Sequence, residues 1–111
     1  MKSKLQIIPE TLLSVTENVF HYTAINQTDK YIVWAEDSEG SSVEGDNTKI
    51  NQSIEGTIDY YTSEEFDENV DKIQDSLKEA CISFYLNSVQ YESIDESGTG
   101  KIHYEWVFEV A

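Results

Sequence analysis

The sequence has 111 residues, which is enough for one hydrophobic core but not for two, so we expect a single domain over residues 1–111. Its 22 acidic and 7 basic residues give a formal net charge of −15, which argues against adhesion to nucleic acid or to anionic lipid, since both require a basic surface. The one cysteine, Cys81, excludes an internal disulfide. We expect Cys81 to be a buried structural thiol. We also expect no membrane partner and a protein that acts in the cytoplasm.

Two short elements are predicted at the start of the chain. Aromatic and β-branched residues predict a strand over residues 19–25, and the polar composition of residues 26–30 predicts a turn. A helix over residues 9–16 is predicted by apolar residues at helical spacing, namely Leu5, Ile8, Leu12 and Val15.

Residues 31–35 form a continuous apolar run, which predicts a strand covered on both faces. We expect helices to cover one face and a surface outside the monomer to cover the other. Residues 36–52 are polar and contain two glycines and five carboxylates, so we expect a long loop. Its acidic residues lack the ordered spacing of an EF-hand, and we interpret the segment as a solvated loop and not as a calcium site.

A strand followed directly by an amphipathic helix is predicted over residues 53–79. Ile54, Ile58 and Tyr60 alternate with polar residues, so one face of this strand is expected to be buried. Gly56 falls on that face, where it allows another element to pack close to the backbone.

The helix of this pair is predicted to begin at a capping box and to cover residues 63–79. In that box the Thr62 hydroxyl accepts from the Glu65 amide, and Tyr61 and Phe66 occupy the two positions of a hydrophobic staple. One apolar stripe of this helix is expected to face the sheet, namely Phe66, Val70, Ile73, Leu77 and Ala80.

The end of the chain predicts an antiparallel hairpin with an acidic tip over residues 92–100. In its first strand the apolar phase changes parity at Asn87 and Ser88, so we expect a β-bulge that restores one buried face. The second strand has the cleanest alternation in the sequence, with Ile102, Tyr104, Trp106, Phe108 and Val110 on one side.

Together these elements predict an α+β fold, with a mainly antiparallel sheet of four to five strands and two helices on one face. No phosphate-binding loop, CxxC pair, zinc-protease motif or nucleophile elbow is present, so we expect no catalytic residue, no cofactor and no metal. His21 and His103 alternate with large apolar residues, and we interpret both as solvent-facing strand residues without a special role. The residues alone indicate a non-enzymatic, acidic interaction module.

Six segments carry a resemblance to known proteins: residues 31–37, 56–61 (GTIDYY), 66–67, 72–74, 87–91 (NSVQY) and 102–109 (IHYEWVFE). They resemble the small tail-completion proteins that tailed bacteriophages and prophages encode among their head–tail joining genes. Tail terminators of long-tailed phages belong to this group. The resemblance covers most of the chain from about residue 20 onward.

The resemblance implies a structural subunit that caps the completed tail tube as a hexameric ring and is monomeric when free. Its implied partners are further copies of itself, the major tail tube protein and a head connector or stopper protein. The implied location is the cytoplasm during assembly and then the virion, at the head–tail interface. DNA passes through such a ring without specific binding, and the acidic charge either lines the channel or keeps the free subunit soluble. Both interpretations of the charge remain open.

The same resemblance implies two sets of interface residues. Neighbouring copies are implied to pair or pack through the apolar run and one face of the last strand, at Tyr31, Val33, Trp34 and Val107. The long loop and the hairpin tip are implied to contact the tube or the connector, through Glu39, Val43, Glu44, Asp46, Asp95 and Glu96.

Two other functions fit the same sequence. A connector or stopper on the head side would bind the portal complex instead of the tail tube. A small acidic regulator or inhibitor would bind a basic host protein through its carboxylate-rich loops.

Overall fold

The computed structural model describes residues 2–24, 29–39, 53–93 and 100–111. They form the helices Lys2–Leu5 (α1), Ile7–Leu13 (α2) and Glu68–Glu79 (α3), and the strands Val19–His21 (β1), Tyr31–Glu39 (β2), Ile54–Thr62 (β3), Ser83–Ser93 (β4) and Gly100–Val110 (β5). The predicted α+β class, with a mainly antiparallel sheet, is confirmed.

The five strands form one sheet in the order β1-β2-β3-β5-β4. β1 runs parallel to β2, and the other three pairs are antiparallel. β3 pairs along its whole length with β5 and also with β2, so it is the centre of the sheet, while β1 and β4 are the edges. The predicted hairpin of β4 and β5 is confirmed, as is the bulge, which shifts the register between Leu86 and Ser88.

Helices cover one face of the sheet, which we call the helix face. Its core is formed by strand residues from β2, β3 and β5 and by residues from α2 and α3, all of them buried: Ile32, Trp34, Ile58, Tyr60, Trp106, Phe108, Ile8, Leu12, Ile73 and Leu77. The indole of Trp106 donates a 3.0 Å hydrogen bond to Gln74 Oε1, which satisfies its one polar atom inside this core. The alternate residues of the same strands lie on the opposite face, which we call the open face.

Gly56 lies on the helix face and is buried, as predicted. A Cβ at this position would collide with the backbone oxygen of Ala35 and would lie 2.7 Å from Cζ of Phe108. The backbone of β2 and the ring of Phe108 therefore pack directly on this glycine, because no side chain intervenes.

The predicted start of α3 is wrong. The helix begins at Glu68, and its N-cap is Asp67, whose φ and ψ of −66° and 122° are extended and whose carboxylate accepts from the backbone amide of Asn69. Thr62 does not cap the helix because it is the last residue of β3, paired with Ile102. Phe66 is 88% exposed with a φ of 59°, so it is neither a staple residue nor part of the apolar stripe.

Asp67 is the centre of a buried hydrogen-bond network. Its Oδ2 accepts from the hydroxyl of Tyr60 at 2.6 Å and from that of Thr62 at 2.7 Å, and its Oδ1 accepts from the amide of Asn69 at 2.8 Å. Lys30 Nζ lies 3.4 Å from Oδ2. Burial alone raises the pKa of this carboxyl, but the three hydrogen bonds and the nearby Lys30 charge outweigh burial and leave the pKa below its usual value.

Several predicted boundaries are wrong by a few residues. The N-terminal helix α2 begins at Ile7 and ends at Leu13, so Pro9 lies in its first turn, and β1 ends at His21. β2 continues through residues 36–39, which were predicted as loop, because Glu36, Ser38 and Glu39 pair with β3 across a register shift at residue 37. Residues 92, 93 and 100 belong to β4 and β5 and not to the hairpin tip. The remainder of the predicted loop and tip, residues 40–52 and 94–99, lies outside the described residues.

The expectation of a buried thiol at Cys81 is also wrong, because this side chain is exposed. α3 ends in a Schellman motif, in which the amide of Ile82 donates to the carbonyl of Leu77 and the amide of Cys81 donates to that of Lys78, both at 3.0 Å. The motif requires a left-handed residue just after the cap, and Cys81 has a φ of 58° there. Leu77 and Ile82 occupy the two positions whose hydrophobic contact accompanies this motif, and both are buried in the core.

The Asp67 network leads to a prediction about acid stability. We expect Asp67→Ala to lower the free energy of unfolding at pH 7 by about 3 kcal/mol, because two buried hydroxyls and a helix N-terminus lose their acceptor. Since the folded-state pKa is lowered, this stabilisation is present above the unfolded pKa of about 4 and is lost as pH falls through the folded value.

Urea unfolding of both proteins between pH 7 and pH 3 measures this effect. The difference between wild type and Asp67→Ala should be constant above about pH 5 and shrink below about pH 4. Asp75→Ala, at an exposed position of the same helix, is the matched control and should change stability by less than about 0.5 kcal/mol. A difference that persists undiminished at pH 3 would contradict the assigned role of the carboxylate.

The Schellman motif leads to a second prediction. Cys81→Gly should raise the free energy of unfolding by about 0.5–1 kcal/mol, because glycine adopts a φ of 58° without the steric cost of a Cβ. Cys81→Ser removes the thiol and keeps the Cβ, so it should leave the thermal midpoint nearly unchanged. Equal effects of the two substitutions would show that the thiol and not the backbone matters.

Candidate functional site

β4 is an edge strand of eleven residues that pairs only with β5 among the described strands. The other edge, β1, has three residues. Along its outer side β4 therefore presents a long row of backbone groups that no described strand satisfies. Edges of this kind can accept a further strand from another chain.

The charge of β4 differs from that of the rest of the chain. Of its eleven residues only Glu92 is charged, whereas the whole chain carries 22 acidic and 7 basic residues in 111. Exposed edge strands are commonly protected from unwanted pairing by charged side chains or proline. β4 has neither in its first nine residues, and among these the bulge at Leu86 and Ser88 is the one feature of that protective kind.

β4 also exposes apolar side chains. Four of the seven large apolar residues exposed in the described parts of the chain lie on it: Tyr85 (58%), Leu86 (45%), Val89 (50%) and Tyr91 (67%). The last three lie on the helix face, because they pair with Trp106, Tyr104 and Ile102. The expected single buried face of this strand is therefore wrong beyond Phe84, since no described helix covers Leu86 or the apolar residues of the distal half of β4, residues 89–93.

Acidic residues lie near the exposed apolar side chains of β4 on both faces of the sheet. On the open face Glu92 belongs to β4 itself, and Glu105 and Glu109 of β5 lie opposite Ser88 and Ser83. On the helix face the pKa of Tyr104 is raised, first by burial and then by the negative charges of nearby residues: Asp67, Asp71 and Glu65. Tyr104 pairs with Val89, so these acidic residues act on the strand next to the apolar part of β4.

His103 is a site residue that the sequence analysis missed. It lies on the open face as expected, but its Nε2 is 2.7 Å from Asp59 Oδ1 and its Nδ1 is 3.3 Å from Glu92 Oε1, and its ring stacks on Tyr61 at 4.3 Å. Burial raises the pKa of Asp59, and the contact with His103 offsets part of that rise. These contacts link β3, β5 and the distal end of β4. No spacing in the sequence indicated them, because Asp59 and His103 are 44 residues apart.

His21 also has partners that its alternation did not predict. Its ring stacks between Tyr22 at 4.1 Å and Trp34 at 3.9 Å, and its Nε2 lies 2.6 Å from Glu36 Oε1. Both histidines thus fasten strands together. Among the described residues, no group of three or more His, Cys, Asp or Glu side chains is arranged to hold a metal ion.

Of the interface residues implied by the resemblance that the structure describes, three share the open face and Trp34 lies on the other face. Tyr31 is buried on the open face and stacks on Tyr61 at 4.7 Å, while Trp34 is buried on the helix face against His21. Val33 and Val107 are half-buried on the open face. Glu39 ends β2, and the other five residues lie outside the described parts of the chain: Val43, Glu44, Asp46, Asp95 and Glu96.

The β4 edge could have been suspected from the sequence by two signals. The segment from Ser83 to Tyr91 has no charged residue in a strongly acidic chain, and it places Tyr85 on the parity opposite to Phe84 and Leu86. Whether these side chains are exposed depends on which strands the helices cover, and periodicity does not specify this.

Comparison with known proteins gives little further information. No protein-family model matches the chain, and no curated protein matches it. Among solved structures, a chain from the virion of a native gene transfer agent (GTA) particle is similar at 9% sequence identity, covering 89% of this chain and 83% of that chain, with a TM-score of 0.46. This likeness identifies no residue and no activity of the present chain. No helix in the described ranges has both the length and the apolarity needed to cross a membrane.

Proposed function

We propose that this protein is a non-enzymatic structural subunit of a phage-type particle, a tail terminator or a closely related tail-completion protein. The sequence resemblance supports the type of particle. The observation that carries an assembly role is the exposed, nearly uncharged edge strand β4. Exposure of this strand in a free subunit is unfavourable, since each Å² of exposed apolar surface costs about 25 cal/mol of free energy relative to burial. Assembly with neighbours covers it.

The charge of the chain supports an ordered assembly. Two copies at −15 each repel, and the repulsion keeps free subunits apart in the cytoplasm. Binding to the tail tube or to the head connector, which is already in the particle, then brings the copies together. We propose that they form a hexameric ring. In that ring the open face, with Val33 and Val107, contacts adjacent copies, and DNA passes through without specific binding.

Capping of tail tubes tests the proposal directly. Tubes assembled from the tail tube protein of the same genome are mixed with the purified subunit and imaged by negative stain. Wild type should remain monomeric alone by light scattering and should form a ring at one end of each tube. Val89→Lys combined with Tyr91→Lys should fold normally, because both side chains are exposed, and should cap at least about tenfold fewer tubes.

Leu13→Lys is the matched control, because it replaces an apolar side chain of similar exposure, 53%, on α2. It should cap tubes as wild type does. Wild-type protein that leaves tube ends bare but binds the head connector would favour the head-side alternative. Binding to neither, or normal capping by the β4 variant, would reject the proposal.

A further inference from the structure

We propose that β4 accepts an extended segment of a different protein as a sixth strand, and that this segment alternates apolar residues with lysine or arginine. The inference rests on the proposed function in taking β4 as an assembly surface, and it adds the chemistry of the partner. Main-chain hydrogen bonds along the outer side of β4 supply affinity that does not depend on sequence, and the two faces of the sheet supply selectivity.

Alternation follows from what lies on the two faces at the distal half of β4. On the helix face Val89 and Tyr91 are exposed, 50% and 67%, beside Leu86. On the open face β4 presents the carboxylate of Glu92, whose side chain is 47% exposed beside His103, and one strand further in Glu105 of β5 accepts from Asn87 Nδ2 at 2.8 Å. Side chains of an added strand point to the two faces in turn, so one set meets the apolar residues and the other meets the carboxylates.

A second copy of this chain does not have the required chemistry. The chain contains seven lysines and no arginine, and β5, its most regular strand, carries one lysine and two glutamates. β1, the other sheet edge, is three residues long. Pairing of two copies would also bring two net charges of −15 together. The negative charge of the chain and the exposed apolar side chains Leu86, Val89 and Tyr91 therefore favour a basic strand from another protein over a second copy of this chain.

Synthetic peptides test the inference on the full-length protein. The probe is an eleven-residue peptide of alternating valine and lysine with blocked ends, and its binding is followed by fluorescence anisotropy and by amide hydrogen exchange. We expect it to slow the exchange of β4 amides at least tenfold relative to the free protein. A peptide of the same composition in block order has the same charge and should bind at least about tenfold more weakly.

Two further probes separate the contribution of main-chain hydrogen bonds from that of the exposed apolar side chains of β4. An alternating peptide with N-methyl groups on one edge keeps the charge and loses the main-chain donors, so it should not protect β4. The protein variant Val89→Lys with Tyr91→Lys should bind the basic peptide at least about tenfold more weakly than Leu13→Lys with Tyr22→Lys, which makes the same change in net charge at exposed apolar positions outside β4. Equal binding of the block-order peptide, or protection elsewhere than β4, overturns the inference.

The result is independent of the tube-capping experiment. If the peptide binds β4 and tube ends stay bare, the proposed function fails and the recognition chemistry stands. If capping requires β4 but the alternating basic peptide does not bind there, the inference fails and the proposed function stands. Protection of β4 amides by self-association of the wild-type protein, without any peptide, would identify a second copy as the occupant and would also overturn the inference.

Discussion

The fold depends on one buried carboxylate. Asp67 fixes the end of β3 through the hydroxyls of Tyr60 and Thr62, and it fixes the start of α3 by capping it. A buried charge without partners would cost several kcal/mol, so the network couples the end of β3 to the start of α3. This coupling sets where α3 begins on the helix face.

Much of this architecture could be predicted because it follows from periodicity. The alternation in β3 and β5, the close contact at Gly56 and the bulge in β4 were all evident from the order of apolar residues. The start of α3 was missed because a capping box is local, and the longer strand β3 used Thr62 for pairing with Ile102 instead. A tertiary contact, the Asp67 network, took precedence over a local signal.

The candidate site was harder to predict than the fold. Sequence patterns identify which residues share a face, but they do not say how far a helix extends over that face. The apolar residues after the bulge were thus expected in the core and are exposed. Likewise, His103 alternates as a surface residue does, yet it lies between carboxylates contributed by two other strands. Contacts across strands distant in sequence require the three-dimensional pairing.

The bulge in β4 has a consequence for how neighbours can be spaced. A regular edge lets an incoming strand slide by two residues and keep every side chain on its face, so several alignments are nearly equal in energy. The shift between Leu86 and Ser88 interrupts that translational symmetry. A strand paired across this shift would therefore have one favoured alignment, so every copy of the chain would hold such a strand in the same position.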